Sequence, residues 1–500
     1  MWCASSGSER PGRRRVAQEV VHAIFCRLAP WHNLAVLRRG GRRPPPHVDL
    51  GAPVTELLSP AVARRRYVTV CVLFWLPAGL AVAPGILLFT ERGMGLAAIA
   101  GFFAAHSLTV ALLELPTGGL SDVIGRRTVL AAAGVFDCAA FALVGLGTSA
   151  WMLALGMALK GVGRALHSGP AEAWYVETVQ AHSGPEADLR TGLARGSTAT
   201  SAALAVGTLL GGALPWLLGL GPDLGDRLRE ATGGQILALS VPALIASALS
   251  LVFAVYVMTA LPEKPRPRTT LGATLRGVPA TVVSGLRLGG SDRIVRRVLL
   301  TAAAVGAALC ALELLTPGRA AALTGAPESG AVLFAALACT GFVCSGVGSH
   351  FAPLAARLTG SGSRAVTVCL AGAGGGLVAL AVTSSTDGAV AVVVAVLGYC
   401  LVYIGLGAAS PNQNDMLHRR VTNEGRATAL SVQSLALQLV GALAGLAAGS
   451  LPPGPLPWLV GAVALLCAAL LWTARDTGAM SPAPAEAPSL KPTETSAEPG

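Results

Sequence analysis

Residues 111–127 read ALLELPTGGLSDVIGRR. An apolar run arrives from the amino-terminal side, passes Gly118, Gly119 and Leu120 to reach Asp122, and closes on Gly125, Arg126 and Arg127. A second apolar run follows at once. A charged connection this short cannot hold a domain. It joins two hydrophobic segments at one edge of a membrane, and its glycines are expected to permit a tight turn and close helix approach. The stretch predicts a protein whose helices move against one another.

The surrounding chain agrees. It has 500 residues, 53% hydrophobic and 13% charged, with a mean hydropathy of +0.62. A run of about 20 apolar residues is long enough to cross the hydrocarbon core, and such runs recur through most of the length. The expected fold class is an all-α polytopic membrane protein. Twelve spans fall near 67–90, 95–117, 128–148, 150–172, 196–219, 236–260, 298–317, 329–350, 366–384, 388–410, 427–450 and 456–473. They make two six-helix bundles, 67–260 and 298–473, joined by a basic linker at 261–297 that carries Pro262, Pro265 and Pro267. A basic tail, 1–66, precedes them. A Pro/Ala/Glu/Ser tail, 474–500, follows and reads as disordered.

The net charge of +11 would suggest nucleic acid in a soluble chain. Here the basic residues lie between spans, so they report topology instead. With the amino terminus in the cytoplasm, 31 Lys and Arg fall on the inner side and four (Arg92, Arg227, Arg229, Arg319) on the outer side. That excess places both ends in the cytoplasm of a plasma-membrane protein, with the lipid bilayer as its surroundings and no nucleic acid as partner. A monomer is expected. The ten cysteines are scattered, mostly inside apolar runs, with no metal-ligand spacing. They read as small core hydrophobes. Gly374-Gly375-Gly376 lies inside a span without the lysine of a phosphate loop. No zinc motif or nucleophile elbow occurs. Neither catalytic residues nor a metal or cofactor is expected, and a membrane enzyme or a non-transporting scaffold is the weaker reading.

Gly118, Leu120, Asp122, Gly125, Arg126 and Arg127 fit Gly-x-Leu-x-Asp-x-x-Gly-Arg-Arg. This resembles the signature between the second and third helices of the major facilitator superfamily, and it falls between the second and third spans here. The preceding Glu114-Leu115-Pro116-Thr117-Gly118 is similar to that of multidrug-efflux-type members. The resemblance covers about 67–473. It implies a transporter whose two halves rock around a central cavity, with the signature acting as a gate. It also implies that Asp122 meets the start of the eleventh helix, near Arg426-Ala427-Thr428, where a helix amino terminus favours a carboxylate. Other signatures depart from the pattern. Met157 stands where the fourth helix usually has Arg. The fifth helix reads AVGTLLGGALP, without the Gly-Pro of antiporters, and the second-half copy of the gate has no aspartate.

Ionisable residues inside spans usually face a cavity or a partner. Glu114, Asp137 and Glu313 are therefore candidate proton carriers, and Lys160 and Arg164, four apart on one helix face, complete a candidate charge relay that could pair with Asp137. Gln433, Ser434 and Gln438 on the eleventh span are candidate cavity-lining residues; Trp75, Trp174 and Tyr403 either line the cavity too or, as most such aromatics do, anchor at the membrane interface. His106 and His350 read as packing histidines. The expected function is proton-coupled export of a small drug-like or metabolite substrate by alternating access. Symport or facilitated uptake of a small solute is the alternative.

Overall fold

The computed structural model describes residues 58–220, 223–263, 292–386, 388–418 and 423–473, with isolated positions 287, 290 and 420. The side chains at 115, 116, 118, 119, 122, 418 and 423–430 are not among those described. Most of the linker and both tails lie outside these residues.

Everything described is helix and short connection. The first half holds α1 (Pro60–Glu91), α2 (Leu96–Ile124), α3 (Arg126–Leu146), α4 (Ala150–His167), α5 (Pro170–Ser183), α6 (Arg190–Leu218), the short α7 (Leu224–Ala231) and α8 (Val241–Ala260). The second holds α9 (Arg293–Thr324), α10 (Pro327–Thr359), α11 (Gly362–Thr383), α12 (Ala389–His418), α13 (Asn423–Ser450) and α14 (Pro455–Leu471). Among the described residues, ten helices are long and apolar enough to cross a membrane. The fourth and twelfth expected spans fall short of that measure for visible reasons. Helix α4 carries Lys160, Arg164 and His167, and α14 is 17 residues long. Helices form throughout because hydrocarbon offers backbone groups no partner, so each must bond within its own segment. Thr109, Thr208, Thr301 and Thr316 follow the same rule, donating to the carbonyl one turn back at 2.6–2.8 Å. Large apolar side chains point outward, with Leu112 73% exposed and Val390 78% exposed. In water that would be an aggregation surface; in lipid it is the matching one.

Two expectations need correction. The second span does not stop at Gly118. Helix α2 runs on through Gly118 and Gly119 to Ile124, so those glycines make no turn. The reversal is confined to Gly125, at φ 96° and ψ 145°. The fourth span is not one helix either. It breaks at Gly169, φ 97°, and resumes at Pro170 as α5, because Pro suits a helix start and cannot continue one.

Each half has its own apolar core. One is built around Tyr67, Phe74, Leu130, Trp174 and Phe253, the other around Val298, Leu312, Leu370, Val402 and Trp458. Two smaller clusters join the halves. Ala83 packs with Ala320, Phe334 and Ala335. Ile86, Phe102 and Leu153 pack with Leu314, Ala331 and Ala448. These residues lie late in α1, early in α2, late in α9 and α13, and early in α10, which is the end of the bundle away from Gly125. Glycine allows the approach there. A Cβ on Gly212 would stand 2.6 Å from the Ala331 carbonyl oxygen. Gly449 likewise lets its helix approach Leu96 and Ala100 of the other half, whereas Gly207 packs against Leu76 and Gly79, and Gly441 against Gly306, within one half.

Candidate functional site

Two groups of polar residues sit where the helices meet, and each is held by local structure. The first is the Gly125 reversal. Arg126 opens α3 and is 8% exposed. Its backbone N–H donates to Glu263 Oε1 at 2.6 Å, so a carboxylate from the residues just after α8 sits on the amino terminus of α3, where the helix dipole favours it. The Arg126 guanidinium pairs with Glu177 of α5 at 2.5 Å. The neighbouring chain is tied down as well. Arg66 donates to the Ala260 carbonyl, and Trp174 Nε1 to the Pro262 carbonyl at 3.1 Å. Thr117 Oγ1 bridges from α2 to the Ala165 carbonyl of α4 at 3.0 Å. Leu120 packs against the first-half core, and Arg127 Nε is buried without a hydrogen-bond partner among the described residues. The backbone of Asp122 is helical. Its side chain, and those of Arg426, Ala427 and Thr428, lie outside the described residues, so the expected contact between them does too. What is described is that α2 packs along α13.

Gly125 carries the geometry of this group. Its φ is one that side chains rarely adopt, and a Cβ there would stand 2.6 Å from Glu263 Oε2. Gly125→Ala is therefore expected to lower stability by about 1–3 kcal/mol, read as a drop in melting temperature in detergent. An unchanged melting temperature would refute this.

The second group lies between the halves. Lys160 and Arg164 share one face of α4. Lys160 Nζ stands 5.6 Å from the ring centre of Phe141, and the Arg164 guanidinium 5.2 Å from that of Trp75, both within cation–π range. Asp137 of α3 is 6% exposed. Its carboxylate lies against the backbone of Gly163, between the two cations along α4. The expected ion pair is not closed: among the described residues Asp137 bonds to neither cation, though its charge acts on both. Lys160 also feels Glu313 of α9, and Arg164 feels Glu114 of α2.

Both of those carboxylates reach across. Glu114 Oε2 accepts a 3.0 Å hydrogen bond from Ser434 of α13, on the opposite half. Glu313 is exposed, yet the groups its charge acts on are Lys160, Cys310, Tyr399 and Tyr403. It therefore faces the gap between halves and not lipid. Tyr399 and Tyr403 lie one turn apart on α12, with ring centres 5.0 Å apart. His106 is buried beside the Lys160 and Arg164 charges, and its Nδ1 makes no hydrogen bond among the described residues.

Other expected cavity residues separate. Gln433 lines a small cavity with α9 and α12, and Gln438 is half-buried further along α13. Trp174 is instead a buried anchor for the exit of α8. His350 is exposed, edge-on to Phe351. Sequence reading missed Tyr399, Gln413, and His167, whose ring stacks on Phe74 at 3.4 Å. Uncharged residues inside apolar runs carry no periodic signal. Glu263 falls in the expected linker and Glu177 carries no sequence signal of its own; only folding brings both to Arg126.

The sequence profile of the Major Facilitator Superfamily matches residues 67–446. No curated protein matches the chain. Several solved structures do. The nucleoside transporter NupG has 12% identity, with 82% of this chain and 98% of that one covered and a TM-score of 0.63. A bacterial homolog of the human lysosomal transporter Spinster, inward-facing and occupied, has 15% identity, coverage of 83% and 96%, and a TM-score of 0.61. A bacterial homologue of the iron transporter ferroportin, inward-facing, has 16% identity, coverage of 83% and 99%, and a TM-score of 0.61. At such identities the likeness is one of fold.

Proposed function

Because the chain belongs to the Major Facilitator Superfamily, we propose that it is a secondary active transporter of the multidrug-efflux type. It exports a small drug-like or metabolite substrate across the plasma membrane in exchange for protons, as a monomer with both ends in the cytoplasm. The observation that carries the reading is the placement of charge. Lys160 and Arg164 on one half, with Glu313 on the other and Glu114 bonded across to Ser434, stand where the halves face each other. Charges in such a place are costly unless they have a function or a partner. Here each carboxylate answers a group on a different helix, so its energy changes when the halves shift.

Alternating access then follows from the packing. The halves join through Gly212, Ala83 and Ala448 at one end. At the other end, the Gly125 reversal is strapped by Glu263 and Glu177 within the first half. Rocking about the joined end would open and close the other, and the gating signature sits there. One proton crossing 100 mV is worth about 2.3 kcal/mol, roughly fortyfold in accumulation.

The test is transport by the purified chain in lipid vesicles under imposed pH gradients. Export by antiport requires substrate to move against an opposing proton gradient and to stop when an ionophore collapses it. Movement with the protons would instead establish symport. Movement indifferent to the gradient would establish facilitated diffusion. The fifth-span sequence AVGTLLGGALP, which lacks the Gly-Pro of antiporters, keeps these alternatives in play. The substrate would be found by comparing exported metabolites in cells with and without the protein.

A further inference from the structure

A cavity of about 140 Å³ opens between α9, α12 and α13. Ala302, Val305, Leu406, Ala409 and Leu437 give it apolar walls, and three polar side chains, Ser410, Gln413 and Gln433, break them. Gln413 is 6% exposed, and it makes no hydrogen bond among the described residues. Oε1 of Gln433 is also buried with no hydrogen-bond partner among the described residues. Two carboxamides thus line one cavity and do not bond each other.

Buried polar groups are almost always hydrogen-bonded. Gln413 makes no hydrogen bond among the described residues and Gln433 has an unbonded Oε1, so both amides on this cavity have hydrogen-bonding capacity left for a bound molecule. Among the described residues the lining holds no titratable side chain, so a charged group would meet no counter-charge there, which favours an uncharged occupant. Its size is bounded too: an apolar cavity of about 150 Å³ accepts benzene, so this one accepts a single six-membered ring. A carboxamide sets an acceptor oxygen beside a donor nitrogen. The edge that matches it has an N–H beside a C=O in the cis arrangement, as in a lactam, an imide or a pyrimidinedione.

We propose that this cavity is a binding subsite for a ring-sized, uncharged cis-amide group of the transported molecule, held by Gln413 and Gln433 with Ser410 beside them. It deepens the transport reading and rests on it. The charged residues between the halves are then left for coupling, and this neutral subsite in the second half supplies recognition.

The full chain in lipid nanodiscs is titrated with δ-valerolactam, N-methyl-δ-valerolactam and benzene, with binding followed by saturation-transfer NMR. The lactam should bind saturably, and N-methylation, which removes the donor, should weaken it by about tenfold or more, a loss of about 1.4 kcal/mol or more. Gln413→Met and Gln433→Met, close in shape but without the amide, should weaken the lactam similarly and leave benzene unchanged. The proposal is overturned if the lactam does not bind, if its N-methyl form binds equally well, or if both variants keep full lactam affinity. Should the variants not fold, the comparison of the two lactams on the unaltered chain decides. Lactam binding without proton-driven transport would leave the subsite standing and remove the coupling reading. Proton-driven transport with no ring bound would do the reverse.

Discussion

Glu313→Gln is expected to abolish proton-driven accumulation, a loss of about fortyfold for each proton moved across 100 mV, while exchange of substrate across the membrane continues. In the proposed antiport, Glu313 is the carboxylate placed to carry the proton. It is exposed in the gap and makes no hydrogen bond among the described residues. The opposing cation that acts on it is Lys160, on the other half. The carboxylate's separation from Lys160 and its access to water both change when the halves move. The cost of the charge, and so its proton, follows the motion. Glutamine keeps the size and cannot titrate. The measurement is vesicle uptake driven by a pH gradient, beside counterflow with no gradient. If Glu313→Gln accumulates substrate like the unaltered protein, Glu313 is not the carrier. Glu114→Gln should be milder, because an amide oxygen can still accept from Ser434.

How much of this was legible in the chain differs by level. The spans were, because a membrane demands about 20 apolar residues for each crossing. Their ends were not. Pro60–Glu91 starts seven residues before the expected 67, and α10 runs to Thr359 past the expected 350, since helices extend beyond hydrocarbon into the polar interface. Gly118-Gly119 read as a turn because glycine permits one. In the folded chain the backbone hydrogen bonds of α2 continue through them, and only Gly125 takes a conformation that glycine alone favours. The charged residues inside spans were legible one at a time, since any charge in an apolar run stands out. Their partners were not: Asp137 was expected to pair with Lys160 or Arg164 and lies against Gly163 between them. Gln413 gave no signal, because a lone amide near a helix end is unremarkable until a cavity is seen beside it.

The arrangement around Gly163 leads to the second large effect. Asp137→Asn removes the negative charge that acts on both Lys160 and Arg164. Removing the anion from a buried charge cluster leaves both cations uncompensated, a loss of about 3 kcal/mol or more. The rings of Phe141 and Trp75 offset part of the cost of burying each cation. Asp137→Asn is therefore expected to destabilise the folded protein by about 3 kcal/mol. Lys160→Met on the same background should restore most of that, because a single cation over an aromatic ring needs no nearby anion. The cycle of Asp137→Asn, Lys160→Met and the double variant, read by thermal or denaturant unfolding in detergent, should give a coupling of about 1–3 kcal/mol. Additive losses would mean that Asp137 fills space against Gly163 and does not balance charge. In that case a substitution preserving its shape, as asparagine does, should cost almost nothing, so the single variant alone already separates the two roles.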